Sequence, residues 1–270
     1  MAQPVFHENA VIITGASSGI GRELARQLAD QGAWLALAAR NTAALEEAAA
    51  ECERRGGRAL AVPTDVSDEA QCKALVERTV EAYGRVDTLV NNAGTSVLAL
   101  FEELEDLAPL ERIIRINYLG SAYCTYHALP HLKAARGRIV AVSSLAGKAG
   151  VPTRCGYAAS KHALVGFFDT LRVELAGYGI SVTVVYPGFV STGMHERTPG
   201  PDGRLLGADH LIDYSRAMTT ETCVRIIVRA MERRKREEIM TLRGKVGQWI
   251  KLIAPGMVDN IARRAVARGR

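Results

Sequence analysis

Tyr157 and Lys161 stand four residues apart in the stretch GYAASKHAL (156–164), so at helical spacing the phenol and the ammonium share one face. A free phenol ionises near pH ~10 and is a poor base at neutral pH. Bringing it to about 7 needs roughly 4 kcal/mol of differential stabilisation of the phenolate, at ~1.36 kcal/mol per pH unit. A lysine one turn away, in a partly dehydrated cleft, contributes charge of the required sign. An isolated Tyr–Lys pair at this spacing is more often a surface contact, so other residues must decide. Ser143 and Ser144 close the apolar run GRIVAVSS upstream, and either hydroxyl could polarise an oxygen beside the phenol.

A second chemical feature lies near the start. NAVIITG (9–15) reads as a strand and runs into TGASSGIG, Thr14 to Gly21, followed at once by a helix over about 19–31. Three glycines allow a tight turn and close backbone approach, and the helix start offers unpaired N–H groups to a pyrophosphate. Gly15, Ser17, Ser18, Gly19 and Ile20 are the candidate phosphate contacts. The spacing is T-G-x-x-x-G-x-G rather than G-x-G-x-x-G. At the end of the second strand, where dinucleotide folds often carry a carboxylate for the ribose 2′-OH, the sequence has Ala39, then Arg40 and Asn41. A guanidinium there can pair with a 2′-phosphate, so NADP(H) is expected over NAD(H), with Arg40 and Asn41 as contacts.

These residues need a scaffold, and the apolar patterning supplies one. AWLALAAR, RALAVPTDV, VDTLVNNAG, GRIVAVSS and GISVTVVYPG read as further strands, alternating with helix-period segments. Asn41 or Thr42 is expected to cap the second helix and Ser67 the third. One long helix is expected over 107–135 and another over 157–177. Continuous apolar strands with helical crossovers imply an α/β, doubly wound, mainly parallel sheet covered on both faces. A Gly/Pro-containing stretch, 191–216, is where a loop over a site would lie, with Met194, Leu205, Leu206 and Leu211 as a candidate apolar lining.

Taken together, TGASSGIG, NNAG (91–94), YAASK (157–161) and PG (187–188) resemble the motifs of the short-chain dehydrogenase/reductase family in its single-domain form, over roughly residues 8–195. The resemblance implies a Rossmann-type fold, which we expect to have seven strands in the order 3-2-1-4-5-6-7. It implies that Tyr157 is the acid/base, Lys161 its helper and a holder of the nicotinamide ribose, and Asn117 a member of a proton relay. The thirteen-residue interval before Tyr157 favours Ser144 over Ser143 as the carbonyl-orienting hydroxyl. Asp65 and Val66 would contact adenine, and Asn92, Ala93 and Gly94 would pass near the adenosine ribose. Pro187, Gly188 and Val190 would flank the cofactor, and Thr192 would reach its carboxamide or diphosphate. The implied activity interconverts a carbonyl and a secondary alcohol. Alternatives are a 3-oxoacyl-thioester reductase serving an acyl carrier protein and a cofactor-binding sensor or scaffold without turnover. An epimerase is disfavoured by the spacing of the glycine turn. Family members of this kind are usually homodimers or homotetramers.

Composition narrows the setting. The chain has 270 residues, 48% hydrophobic and 23% charged, with no apolar run near the ~18 residues of a spanning helix. No secretory signal is visible at the start, and five cysteines without paired spacing fit reduced thiols in a cytoplasmic protein. No metal is expected, since His127, His131 and His162 have no second ligand at suitable spacing. Residues 225–270 carry 13 Lys/Arg against 4 Asp/Glu, while the rest is mildly acidic. No aromatic–basic reader motif accompanies that charge, so nucleic acid is not expected. The domain is expected to end near 243. Beyond it, Val246, Trp249, Ile250 and Ile253, then Val258, Ile261, Ala262 and Ala265, recur at i, i+3, i+4, i+7 on either side of Pro255-Gly256. Residues 244–270 thus read as two basic amphipathic helices, packed on the body or a neighbouring subunit, or laid on an anionic membrane surface.

Overall fold

Strands whose successive residues are all apolar cannot leave either face in water, so helices must cover both. The computed structural model describes residues 3–193, 198–201, 204–205 and 217–268, with side chains through Arg263. Its elements are β1 (Ala10–Thr14), α1 (Gly19–Ala29), β2 (Trp34–Ala39), α2 (Thr42–Arg54), β3 (Arg58–Pro63), α3 (Glu69–Tyr83), β4 (Thr88–Asn91), α4 (Ala108–Ile114), α5 (Gly120–Ala135), β5 (Arg138–Val142), α6 (Cys155–Glu174), β6 (Ser181–Tyr186), β7 (Val190–Ser191), β8 (Met218–Thr219), α7 (Thr220–Glu232), β9 (Glu237–Ile239), α8 (Leu242–Ile253) and α9 (Pro255–Arg268). Seven strands form one parallel sheet in the order β3-β2-β1-β4-β5-β6-β9. This is the expected order; the seventh strand is β9 because the short β7–β8 pair precedes it.

The two-residue period of the strands divides the core. Val11 and Ile13 of β1, Val140 and Val142 of β5 and Val185 of β6 pack with Leu24, Leu28, Leu45 and Ile227 of α1, α2 and α7. Ile12, Ile139, Ala141, Val184 and Tyr186 point the other way, onto Leu75, Cys124, Leu164 and Phe168 of α3, α5 and α6.

Three local expectations are corrected. The third helix is capped by Asp68, whose carboxylate accepts from the Ala70 and Gln71 amides, while Ser67 instead donates to Asp65 at 2.7 Å. Asn41 does cap α2, accepting from the Ala44 amide. The 107–135 helix is broken in register by a π-turn at Arg115–Leu119 between α4 and α5. The next helix starts at Cys155, two residues before Tyr157, and ends at Glu174. Most of the 191–216 stretch, including Met194, Leu206 and Leu211, lies outside the described residues; Leu205 is exposed and bridges to Pro199.

Candidate active site

The glycine turn is built so tightly that side chains would not fit. Gly15 and Gly19 have φ of 68° and 53°, in the left-handed region that glycine enters without steric cost. A Cβ on Gly21 would stand 2.2 Å from the Gly15 carbonyl oxygen, so the first turn of α1 lies directly against the loop. The loop is tied to the end of β4. Asn92 Nδ2 donates to Thr14 O at 2.9 Å, and Thr14 Oγ1 accepts from the Asn92 and Ala93 amides at 3.0 Å each. Ser18 precedes α1 without capping it through its side chain, and no acidic residue occupies the first turn. Gly15, Ser17, Ser18, Gly19 and Ile20 all line one cleft. A helix start beside a cradle that a Cβ would fill, with no acidic residue in the first helical turn, suits a pyrophosphate.

Arg40 and Asn41 follow β2 along the same cleft, with Asp65 and Val66 opposite. Burial alone would raise the Asp65 carboxyl, but hydrogen bonds from the Ser67 hydroxyl and amide and the Arg40 and Arg112 charges hold it below its ordinary value. The far wall comprises Asn92, Ala93 and Gly94 beyond β4, and Pro187, Gly188, Val190 and Thr192 beyond β6. Thr192 approaches the glycine turn: a Cβ on Gly19 would lie 3.1 Å from Thr192 Cβ.

At the other end of the cleft, β5 and α6 bring Ser144, Tyr157 and Lys161 to one wall. Ser144 Oγ accepts from the Ala146 amide at 3.2 Å and stands close enough to the Tyr157 hydroxyl to act on its ionisation. Ser143 is buried, and its hydroxyl donates to the Lys161 carbonyl at 3.4 Å. Lys161 is only 4% exposed; Nζ donates to the Val142 carbonyl at 2.8 Å and lies 5.7 Å from the Tyr157 ring centre. Burial pulls the Lys161 ammonium down to about 8. Burial also pushes the Tyr157 phenol above its ordinary value, against the nearby Ser144 hydroxyl and the Arg154 charge, which lower it. The expected acidification of the phenol draws on Lys161 together with the positive charge of an oxidised nicotinamide ring, and in the protein alone burial outweighs the lowering contributions.

Asn117 sits in the π-turn, fully buried, one layer behind this wall. Nδ2 donates to Thr95 O at 3.0 Å and Ser160 Oγ at 2.9 Å, and Oδ1 accepts from the Thr95 amide at 2.8 Å. Ser160 in turn donates to the Tyr157 carbonyl at 2.7 Å. The side-chain amide thus joins the β4 end of the cleft to the first turn of α6. Sequence reasoning passed over Thr14, Thr95, Ser160 and Arg154; of these, only Ser160, three residues after Tyr157, was signalled by helical spacing. Thr153, beside Arg154, holds a φ of 65°, unusual for a β-branched residue, and its carbonyl accepts from the Ala99 amide at 2.9 Å. Among the described residues no cluster of three or more His, Cys, Asp or Glu is placed to hold a metal ion.

The cleft is open to solvent and has a volume of about 2020 Å³. Ordinary small-ligand pockets run to roughly 1,000 Å³, so a dinucleotide leaves room here for a second reactant. The cleft lining also includes the apolar residues Leu98, Leu145, Val151, Pro152, Phe189 and Met218, beside the polar Thr153, Arg154, Thr198 and Arg243.

Comparison with known proteins agrees with this fold. The family model described as short chain dehydrogenase matches residues 9–201. The 11-beta-hydroxysteroid dehydrogenase-like 4A protein of Arabidopsis thaliana is 38% identical over 258 residues, covering 94% of this chain and 83% of its own. The 11-beta-hydroxysteroid dehydrogenase A of Sesamum indicum is 37% identical over 262 residues, covering 94% and 74%. A crystal structure of a short chain dehydrogenase/reductase from Burkholderia phymatum in complex with NAD superposes with a TM-score of 0.82 at 25% identity, covering 95% of this chain and 96% of that one. With its parallel sheet, glycine turn and Ser–Tyr–Lys wall, this chain belongs to the short-chain dehydrogenase family and is an oxidoreductase of nicotinamide-cofactor type.

Proposed function

We propose that the protein is an NADP(H)-dependent enzyme interconverting a carbonyl and a secondary alcohol on an apolar substrate, with Tyr157 as general acid/base. The observation that carries this reading is the convergence of Ser144, Tyr157 and Lys161 on one wall of a cleft whose other end is the glycine turn. Gly15, Ser17, Ser18, Gly19 and Ile20 would hold the pyrophosphate, Arg40 and Asn41 the 2′-phosphate end, and Asp65 and Val66 the adenine. Asn92, Ala93 and Gly94 would follow the adenosine ribose, and Pro187, Gly188, Val190 and Thr192 the far half. When bound, the cofactor gives or takes the hydride and, oxidised, places positive charge beside the phenol.

The side chains do the rest. Ser144 hydrogen-bonds the carbonyl oxygen and polarises it. Tyr157 Oη passes its proton to that oxygen as the carbon–hydrogen bond forms, and takes it back in the reverse direction. Lys161 adds positive charge near the phenol and can hold ribose hydroxyls. Asn117 fixes the Thr95 backbone and, through Ser160, the turn of α6 that carries Tyr157. The apolar residues of the cleft lining and hydroxysteroid dehydrogenase relatives both support a bulky, fused-ring carbonyl or alcohol as substrate class. Exposed Tyr126 on α5 and Val173 on α6 support assembly as a dimer or tetramer through those helices. Five free cysteines, four of them buried, support a cytoplasmic setting.

The test is a panel of ketosteroids, hydroxysteroids, small ketones and 3-oxoacyl thioesters, each with NADPH or NADH, or the oxidised forms, followed by nicotinamide fluorescence. Turnover of a steroid-sized carbonyl or alcohol with preference for the phosphorylated cofactor is expected. Turnover of thioesters alone would assign the chain to acyl reduction, and cofactor binding without turnover across the panel would make it a sensor.

A further inference from the structure

Helix α8 is mounted with its apolar side outward. A Cβ on Gly244 would lie 2.5 Å from Leu145 Cδ2 and 2.9 Å from Ile239 Cγ2, so this small residue is where the helix meets the body. Two turns on, on the same side, Lys251 Nζ donates to the Lys148 carbonyl at 2.8 Å. Gln248 and Ile250 are also half-covered, whereas a Cβ on Gly247 would meet nothing within 4 Å. The opposite stripe, at i, i+4, i+7 and i+11, is Leu242, Val246, Trp249 and Ile253, exposed by 77%, 48%, 63% and 84%. Leu252, and Met257 and Ile261 of α9, extend the exposed apolar surface. An ordinary surface helix buries such a stripe and presents its small and charged residues to water. Here the helix is anchored by glycine and lysine while tryptophan and isoleucine face away from the body.

We propose that the outward face of α8 and α9 docks on an anionic bilayer surface. Charge selects this occupant. From Leu242 onward the sequence has seven Lys/Arg against a single acidic residue, Asp259. Arg243 and Lys245 flank the apolar stripe and are exposed, as is Arg263. A second copy seated symmetrically on this face would bring that charge against its own image, whereas acidic headgroups neutralise it. A tryptophan in an apolar stripe bordered by cations matches the two signals that hold an amphipathic helix at an interface. No helix of the described residues is long and apolar enough to cross a membrane, so the contact is lateral. Arg243 and Ala262 also line the cleft, so the docked face adjoins its mouth.

The full-length protein and its Trp249→Glu/Ile253→Glu variant should be co-sedimented with phosphatidylcholine vesicles and with vesicles containing phosphatidylglycerol. Both substitutions fall on exposed positions, and NADPH fluorescence titration checks that the variant stays folded. The expected result is binding to the anionic vesicles only, at least tenfold weaker for the variant and weakened by raised salt, with cofactor affinity unchanged. Equal sedimentation of the two proteins, or none, overturns the proposal. So does a dimer, seen by sedimentation velocity without vesicles, that the variant loses, because the face would then belong to a second copy. These readouts do not depend on the substrate or on turnover.

Discussion

Helices α6 and α8 break the same rule in opposite directions. Helix α6 carries a lysine into the interior, where Lys161 is 4% exposed and held by the Val142 carbonyl. Helix α8 carries a tryptophan out, with Trp249 63% exposed. Burying an ammonium costs free energy unless it is hydrogen-bonded, and the remaining cost appears as a lowered pKa. Exposing an apolar stripe forfeits roughly 25 cal/mol for each Å² left in water. Neither departure helps the fold, so each points to a task outside it: proton chemistry at one end of the cleft, adhesion at its mouth.

The largest effect that should separate the two helices is on turnover. Tyr157→Phe removes the transferable proton and should lower kcat by about 10²–10⁴-fold, with NADPH affinity within about threefold of the parent. Loss of cofactor binding in parallel would make Tyr157 a structural residue. Stability should differ almost as sharply. Leu164 of α6 is buried against the sheet, and Leu164→Ala should cost about 2–5 kcal/mol in denaturant unfolding. Ile253→Asp on α8 should stay within about 0.5 kcal/mol of the parent. A large loss at Ile253 would show that α8 is part of the packed domain after all.

Cofactor choice comes next in size. Arg40→Ala should weaken NADPH binding by about 10–100-fold, the loss of charge-assisted hydrogen bonds, and leave NADH binding nearly unchanged. Equal losses for both would place Arg40 away from the 2′-phosphate. The smallest effect is a shift in pH. Alcohol oxidation needs the phenolate, so its rate should climb as pH rises toward the elevated Tyr157 pKa, while carbonyl reduction, which needs the phenol, should fall. The Arg154 cation lowers that pKa, so Arg154→Ala should move both limbs to higher pH. Limbs that stay put would exclude Arg154 from the electrostatics of the phenol.

Much of this was legible before the coordinates. Strands announce themselves by apolar runs because a doubly covered sheet allows nothing else, and the glycine turn is visible because the φ of 68° at Gly15 favours glycine and a Cβ on Gly21 would meet a backbone oxygen at 2.2 Å. Tyr157 and Lys161 could be paired because they lie at helical spacing, while the strand end offered both Ser143 and Ser144 and only the interval implied by the family resemblance chose between them. The layer behind them carries no such mark. Thr14 and Asn117 act through hydrogen bonds between residues distant in sequence, and nothing in spacing marks a threonine that accepts two amides from β4's end. Ser67 and Asp68 are both natural caps, and tertiary pairing of Ser67 with Asp65 decided between them. The π-turn at Arg115–Leu119 carries no Gly or Pro to announce it, so a break in register inside an otherwise helical stretch passed unseen. The amphipathicity of the tail was plain, but its direction was not, because periodicity reports that a stripe exists and not which way it points.

The most direct test of the central claim is a crystal structure of the protein with NADP⁺ and an unreactive ketosteroid. Tyr157 Oη is predicted within hydrogen-bond reach, about 2.6–3.2 Å, of the steroid's carbonyl oxygen, with Ser144 Oγ sharing that oxygen. A steroid seated in the cleft with its carbonyl turned away from both hydroxyls would contradict the account.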